Sequence, residues 1–241
     1  TSALKTIQSQ CDDKKFDIIA CDACLMAMTE FGDLLKPFAN IMVASQELEL
    51  GAGYPYHKML EPFMTRSLSP EEFAKHMVNA YSDHYKKITN DYTLSAVDLT
   101  KLDAVENALE ITTQLLLTAL RYQEGNSVSR LIRASKSRRL CTCFSEPTYI
   151  DLYDFLKNIH EATQYMLLDP SYEHLKDALR NAVQATQQAI DHAVLANQVG
   201  RNLTRAHGLS IYFPNKSIDP SYIQTPFVKN YSWINLIRNA M

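Results

Sequence analysis

The stretch Phe16-Asp17-Ile18-Ile19-Ala20-Cys21-Asp22-Ala23-Cys24-Leu25-Met26-Ala27 constrains the fold more than any other part of the chain. Its apolar start has the length of a buried strand. Beyond it Leu25, Met28, Phe31, Leu34 and Leu35 recur at helical spacing until Pro37. A second short strand is expected at residues 41–45, so residues 16–45 have the length of a β-α-β unit. Such a unit requires a parallel strand pair joined by a right-handed crossover. Cys24 then falls at the seam between strand and helix, the end of an open α/β sheet where ligands bind. A helix N-terminus at that seam stabilises a thiolate.

Residues 46–56 read as a loop at the same sheet end, because they carry Gly51, Gly53 and Pro55. Residues 60–64 allow a short helix. Ser69-Pro70-Glu71-Glu72 is a strong helix start, with a capping serine, proline at the first position and early acids. That helix runs to Tyr85. Residues 93–99 alternate like a strand, and a long helix follows to Tyr122. Residues 123–148 hold Gly125 and a basic cluster (Arg130, Arg133, Lys136, Arg138, Arg139), and read as a surface excursion with a solvated face. Further helices are expected from Tyr149 to Pro170, from Ser171 to Asn197 and around Trp233, with a strand over residues 207–214. Strands alternating with helices make an α/β layer structure. With no linker in sight, residues 1–241 read as a single domain.

A formal net charge of −3 leaves no basic stripe for displacing nucleic-acid counterions, and no apolar run reaches the roughly 18 residues of a membrane helix. The chain opens on Thr1-Ser2 without a Met, as expected of a processed product. Its cysteines (Cys11, Cys21, Cys24, Cys141, Cys143) are odd in number, and none is spaced as a zinc ligand set. Cys21 and Cys24 form a C-x-x-C. In redox motifs of that kind both thiols lie at or beyond the strand end. Cys21 still belongs to the strand and reads as a small buried hydrophobe. A reducible Cys21–Cys24 pair is the least favoured reading. Cys141 and Cys143 read as packing residues. From the residues alone, Cys24 is either a nucleophile or a packed thiol, and Asp22 either a pocket acid or a helix cap.

The segment from Phe16 to Met26 resembles the nucleophile segment of the clostripain family of cysteine peptidases, relatives of gingipains, legumains and caspases. Three more segments agree in the family's order. They are Met42-Val43-Ala44-Ser45-Gln46-Glu47 with its Gly-rich turn, Tyr149-Ile150-Asp151-Leu152-Tyr153-Asp154-Phe155, and Gly208-Leu209-Ser210-Ile211-Tyr212-Phe213-Pro214. The resemblance implies a caspase-like three-layer α/β/α sandwich with a mostly parallel sheet, here lacking the N-terminal strands of the complete fold. It implies a cysteine endopeptidase that cuts after Arg or Lys through a Cys-His dyad. Cys24 is then the nucleophile and Asp22 the partner of the basic side chain. A second acid of the family falls where this chain has Ala52, so one carboxylate is expected rather than two.

The family's catalytic His lies on a strand before the nucleophile strand, and none of the seven histidines here precedes Cys24. His57 is read as a loop residue and His207 as structural. The resemblance therefore implies a heavy chain starting near Thr1, with a light chain from the same precursor supplying the His. Polypeptides are the expected substrates, and a bacterial secreted or cell-envelope location is expected. No cofactor is implied. Some family members use calcium, but no loop of alternating carboxylates around a Gly is present. The alternative is a catalytically inactive clostripain-like binding or scaffold domain, motivated by Ala52 and the missing His.

Overall fold

The main sheet is assembled from three separated parts of the chain. The structure, a computed structural model, describes residues 2–241; Thr1, read above as a heavy-chain start, lies outside the described residues. Helix α1 (Ser2–Ser9) leads to β1 (Phe16–Ala20), α2 (Thr29–Leu35) and β2 (Ala39–Ala44). Then come α3 (Tyr56–Leu60), α4 (Pro70–Tyr85), β3 (Thr93–Asp98), α5 (Leu102–Arg121), α6 (Ser127–Ser135) and β4 (Tyr149–Asp151). The chain continues through α7 (Leu152–Ala162), α8 (Leu175–Ala193), β5 (Val194–Val199), β6 (Ser210–Tyr212), α9 (Pro226–Asn230) and α10 (Trp233–Ala240).

The strands lie in the order β1-β2-β3-β5, with β1 parallel to β2 and β3 antiparallel to both of its neighbours. Three of the four strands therefore point the same way, and β3 is reversed. A second sheet pairs β4 with β6 antiparallel, and a bridge from Met28 to Ser210 ties it to the chain leaving β1. Alternation along β2 shows why this is a three-layer structure. Ile41 and Val43 pack in one core with Tyr81 and Val78 of α4, whereas Met42 and Ala44 join Leu102, Leu109 and Val183 of α5 and α8. A strand covered by helices on both faces must be apolar at every position, which is what the run 41–44 is.

The helix start at Ser69 forms as its local chemistry requires: Glu72 N–H donates to Ser69 Oγ (3.2 Å) and Ser69 N–H to Glu72 Oε2 (2.8 Å). Several expectations are corrected. The helix after Cys24 begins only at Thr29, because Leu25 takes a left-handed φ of +61° and the chain continues alongside β2 first. Residues 149–151 are a strand, with Asp151 capping α7 by accepting Asp154 N–H at 2.8 Å. The expected helix 171–197 splits into α8 and the edge strand β5, and Asp169 rather than Ser171 caps the turn before it.

Residues 123–148 are packed in along one side, while Arg130, Arg133, Arg138 and Arg139 are exposed, the solvated face expected of them. Val128, Ile132, Cys141 and Phe144 are fully buried. Lys136, assigned above to a solvated face, is buried against the end of β6, where its ammonium donates to Pro214 O (2.8 Å) and Asn215 Oδ1 (2.6 Å). Burial lowers that amine to about 8.

Glu30 of α2 is buried beneath β6, accepting Tyr212 N–H (3.0 Å) and Tyr222 O–H (2.9 Å) on one oxygen. Burial pushes its carboxyl from 4.5 up to about 7, against the smaller pull of those bonds. Below pH 4.5 the folded and unfolded states are both protonated. As pH rises to 7 the unfolded state ionises first, so stability is lost across that window, by about 3 kcal/mol. Glu30→Gln should escape this loss. Its stability relative to the parent, from urea midpoints, should rise between pH 4.5 and 8; a pH-independent difference would contradict the assignment.

Candidate active site

Pairing of β1 with β2 ends at the bond from Cys21 N–H to Val43 O (2.8 Å), and the chain then turns through Asp22, Ala23 and Cys24. Cys24 is exposed, at the carboxyl end of the parallel pair. No helix N-terminus meets it. Instead its Sγ accepts the Glu49 backbone N–H at 3.3 Å and lies 3.9 Å from Glu49 O. The Glu49 N–H thus stands where a helix N-terminus was expected. Leu25, next in the chain, pays on the order of 1–2 kcal/mol for its left-handed backbone. Two bonds hold it there, Leu25 N–H to Glu47 O (3.2 Å) and Ala27 N–H to Ser45 O (2.9 Å). The turn bearing the thiol is thus fastened to residues 45–49 along its length.

Asp22 is fixed by the same loop. Its Oδ1 accepts Tyr54 N–H (3.1 Å) and its Oδ2 accepts Tyr56 O–H (2.7 Å). Gly53 has a φ of +65°, and a Cβ there would stand 2.7 and 2.9 Å from the Asp22 oxygens. Both the backbone and the space at that position demand glycine. Burial is the largest single influence on the Asp22 carboxyl and raises it. The bonds from Tyr56, Glu49 and Tyr54 together outweigh it and hold the group below the usual carboxylate range.

Glu49 was not singled out by the sequence, yet it lies against Asp22. Burial first, then the Asp22 carboxyl and Cys24, push its own carboxyl up to about 9. Both of its oxygens are buried and receive no bond from any amide, hydroxyl or cation. Two carboxyls in contact bond to each other only when one carries a proton. Ala52, where a second acid was looked for, is exposed.

A buried amide organises the rest. Gln46 donates through Nε2 to Asp151 Oδ2 (2.9 Å) and accepts Gly208 N–H on Oε1 (2.9 Å). Asp151 Oδ2 also accepts His207 N–H (2.6 Å). Thr93 Oγ1 accepts the N–H groups of Gln46 (2.9 Å) and Glu47 (3.1 Å). The Glu47 carboxylate accepts Ser145 N–H (3.1 Å), which brings residues 143–145 to the site.

His207 belongs to this framework. Its ring stacks on Tyr153 (4.2 Å), and its Nδ1 lies 2.8 Å from Arg205 O and 3.5 Å from Asp151 Oδ1. Burial lowers its basicity most, but Asp151 outweighs that and the imidazole ends above its ordinary value. His57 is exposed on α3, its ring 6.5 Å from that of His84. Among the described residues no histidine hydrogen-bonds Cys24, and no group of three His, Cys, Asp or Glu is placed to hold a metal ion. Cys21 is half-buried with its thiol pushed up by burial, and it and Cys24 are both free thiols.

An exposed free thiol on a strained turn at the carboxyl end of an α/β sheet is compatible with a cysteine peptidase, a hydrolase, and the family match gives that class. The chain belongs to the clostripain family, whose family model matches residues 1–238. Among solved structures it is similar to a cysteine protease of B. fragilis, at 18% identity and a TM-score of 0.63 over 97% of this chain and 91% of that one. It is also similar to a clostripain from Bacteroides thetaiotaomicron in complex with a peptide inhibitor (15%, 0.62, 94% and 91%). For an inactive zymogen C11 protease from Parabacteroides distasonis the values are 16%, 0.64, 95% and 62%. At such identities the likeness establishes the fold, the caspase-like α/β architecture. Comparison with curated proteins gives no match. No described helix is long and apolar enough to cross a membrane.

Replacing Gln46 by Leu leaves Asp151 and the Gly208 N–H without a buried partner. We expect a loss of about 2–4 kcal/mol in urea unfolding. A loss below about 1 kcal/mol would show that the amide does not join these segments.

Proposed function

We propose that this chain supplies the nucleophile and the specificity pocket of an endopeptidase that cuts after Arg or Lys. The observation that carries the reading is the Asp22 carboxylate, held ionised and fixed in direction by Tyr54 and Tyr56, two residues before an exposed thiol. A carboxylate so held has lone pairs left for two parallel bonds from a guanidinium, or for an ammonium. In the reaction the Cys24 sulfur attacks the scissile carbonyl carbon. The C–N bond breaks, the amine leaves with a proton from a histidine, and water hydrolyses the thioester. Thiolate, imidazole and backbone donors suffice for this chemistry without a cofactor.

The histidine comes, on this reading, from a light chain of the same precursor whose strand pairs with β1. In its favour, among the described residues β1 ends the sheet order and pairs only with β2, leaving N–H and C=O groups on its other edge. The B. thetaiotaomicron clostripain is complexed with the inhibitor BTN-VLTK-AOMK, whose peptide part ends in Lys, which supports the basic preference. Another similar structure is of a secreted C11 cysteine protease of that organism, which supports a secreted or cell-envelope location. An inactive scaffold is the competing reading, favoured by Ala52. It predicts no turnover even with an intact His-bearing strand.

In the enzyme made from its full precursor, Cys24→Ala should reduce cleavage of Arg- and Lys-terminated reporter peptides to background. Asp22→Asn should lower kcat/KM for those reporters by about 100-fold, the scale of a lost buried charge pair, while sparing uncharged ones. Continued turnover by Cys24→Ala would rule out this nucleophile.

A further inference from the structure

A cleft of about 330 Å³ opens beside the thiol-bearing turn, lined by Glu47, Arg138, Phe144, Ser145, Asn202 and Arg205. It adjoins that turn through two contacts. Glu47 O holds the Leu25 N–H, and Leu25 packs against the cluster of Phe144, Leu203 and Ala206. Two guanidinium groups set its chemistry. Arg138 donates through Nη2 to Phe144 O (3.1 Å), and Arg205 through Nη1 to Leu140 O (2.7 Å). A carbonyl of the loop 140–144 thus fixes the direction of each group, and each keeps N–H groups to spare among its five. Among the described residues Arg138 pairs with no carboxylate, and Arg205 has only a loose partner, Asp154 Oδ2 at 3.7 Å from its Nε. The acids of the cleft are otherwise engaged. The Glu47 carboxylate accepts Leu48 N–H (2.7 Å) and Ser145 N–H (3.1 Å), and Asp91 accepts the Asn202 amide (2.8 Å). Asp154 Oδ2 accepts the N–H and the hydroxyl of Thr142 (2.8 and 2.9 Å).

We propose that this cleft is an extended subsite for an acidic side chain of the polypeptide substrate, Arg138 and Arg205 holding its carboxylate while the scissile bond lies at Cys24. The inference rests on the peptidase reading, and is separate from the pocket that takes the basic residue. A carboxylate is planar and takes parallel N–H bonds from a guanidinium, which an ammonium of lysine would not provide. Both arginines are held in direction before any ligand arrives, so little side-chain freedom is lost when it binds. The position beside the thiol-bearing turn makes the substrate itself the source of the acid. An extended peptide advances about 3.3 Å per residue, so three residues on each side of the scissile bond sweep about 10 Å each way. An Asp or Glu within that span reaches the cleft. The enzyme then selects a basic residue at the cut and an acidic one close to it.

The test uses the full enzyme and internally quenched peptides with one Arg at the cut and neutral residues elsewhere. A Glu, or a Gln as its control, is walked through the second and third residues before the scissile bond and the first three after it. At one position or two neighbouring ones kcat/KM should be at least about fivefold higher for Glu than for Gln at about 0.05 M salt, the ratio shrinking towards one at about 0.5 M. Arg138→Gln and Arg205→Gln should each bring the ratio close to one. Arg138→Lys should retain part of it, and Arg138→Glu should reverse it, so that Lys is preferred at that position. A merely structural role for Arg138 would not reverse a charge preference. Circular dichroism checks folding; if Arg205→Gln does not fold, the Arg138 series decides. Equal values for Glu and Gln at every position in the parent, or a preference that survives Arg138→Gln, would overturn the subsite and leave the Cys24 reading standing. A parent enzyme that cleaves none of the peptides would overturn both.

Discussion

The structure depends on a single buried amide. Gln46 faces Asp151 with its donor and Gly208 with its acceptor, and so joins the carboxyl end of β2 to the starts of α7 and β6. Three of the four segments by which the chain resembles its family meet in this one side chain. The fourth, the thiol-bearing turn, is attached through the neighbours of Gln46. Ser45 O takes the Ala27 N–H, Glu47 O takes the Leu25 N–H, and Glu49 N–H reaches the Cys24 sulfur. A buried polar network of this kind is costly when incomplete, so its members must all be in place together. Spread over more than 150 residues of sequence, those positions carry the same message because they form one object.

Strain at the thiol follows from this attachment. Leu25 adopts a backbone that a leucine disfavours, and the surrounding bonds to residues 45–47 keep it there. A helix starting at Leu25 would have turned those N–H groups along its own axis, away from the carbonyls of residues 45–47. By delaying the helix to Thr29 the chain leaves Cys24 exposed, with the backbone of one loop residue beside its sulfur and the side chain of that same residue against Asp22.

Local chemistry was legible in the sequence, and chemistry that depends on distant partners was not. The Ser69 capping box, the β1-α2-β2 unit and the apolar run of β2 are determined by neighbours a few residues away. β5 was not legible, because Val194–Val199 follows α8 with no glycine or proline to mark the change, and its half-buried edge position shows no alternation. The direction of β3 is invisible to a pattern of alternation. Lys136 looked like part of a solvated basic run until its partners, some 80 residues on, took it inside. Glu49 is the instructive miss. The path of its loop is set by bonds from Glu47 to Ser145, 98 residues away, and by the tie between Glu49 and Cys24, and it leaves Ala52 exposed.

The proposal that Cys24 attacks a peptide whose cationic side chain lies against Asp22 has one decisive test. The full enzyme is treated with a lysyl acyloxymethyl ketone and with its uncharged norleucyl analogue, and the adducts are mapped by mass spectrometry. The account predicts a single adduct, on Cys24, formed at least about 100-fold faster by the lysyl reagent. Modification of Cys11 or Cys21 instead, or equal rates for the two reagents, would contradict it.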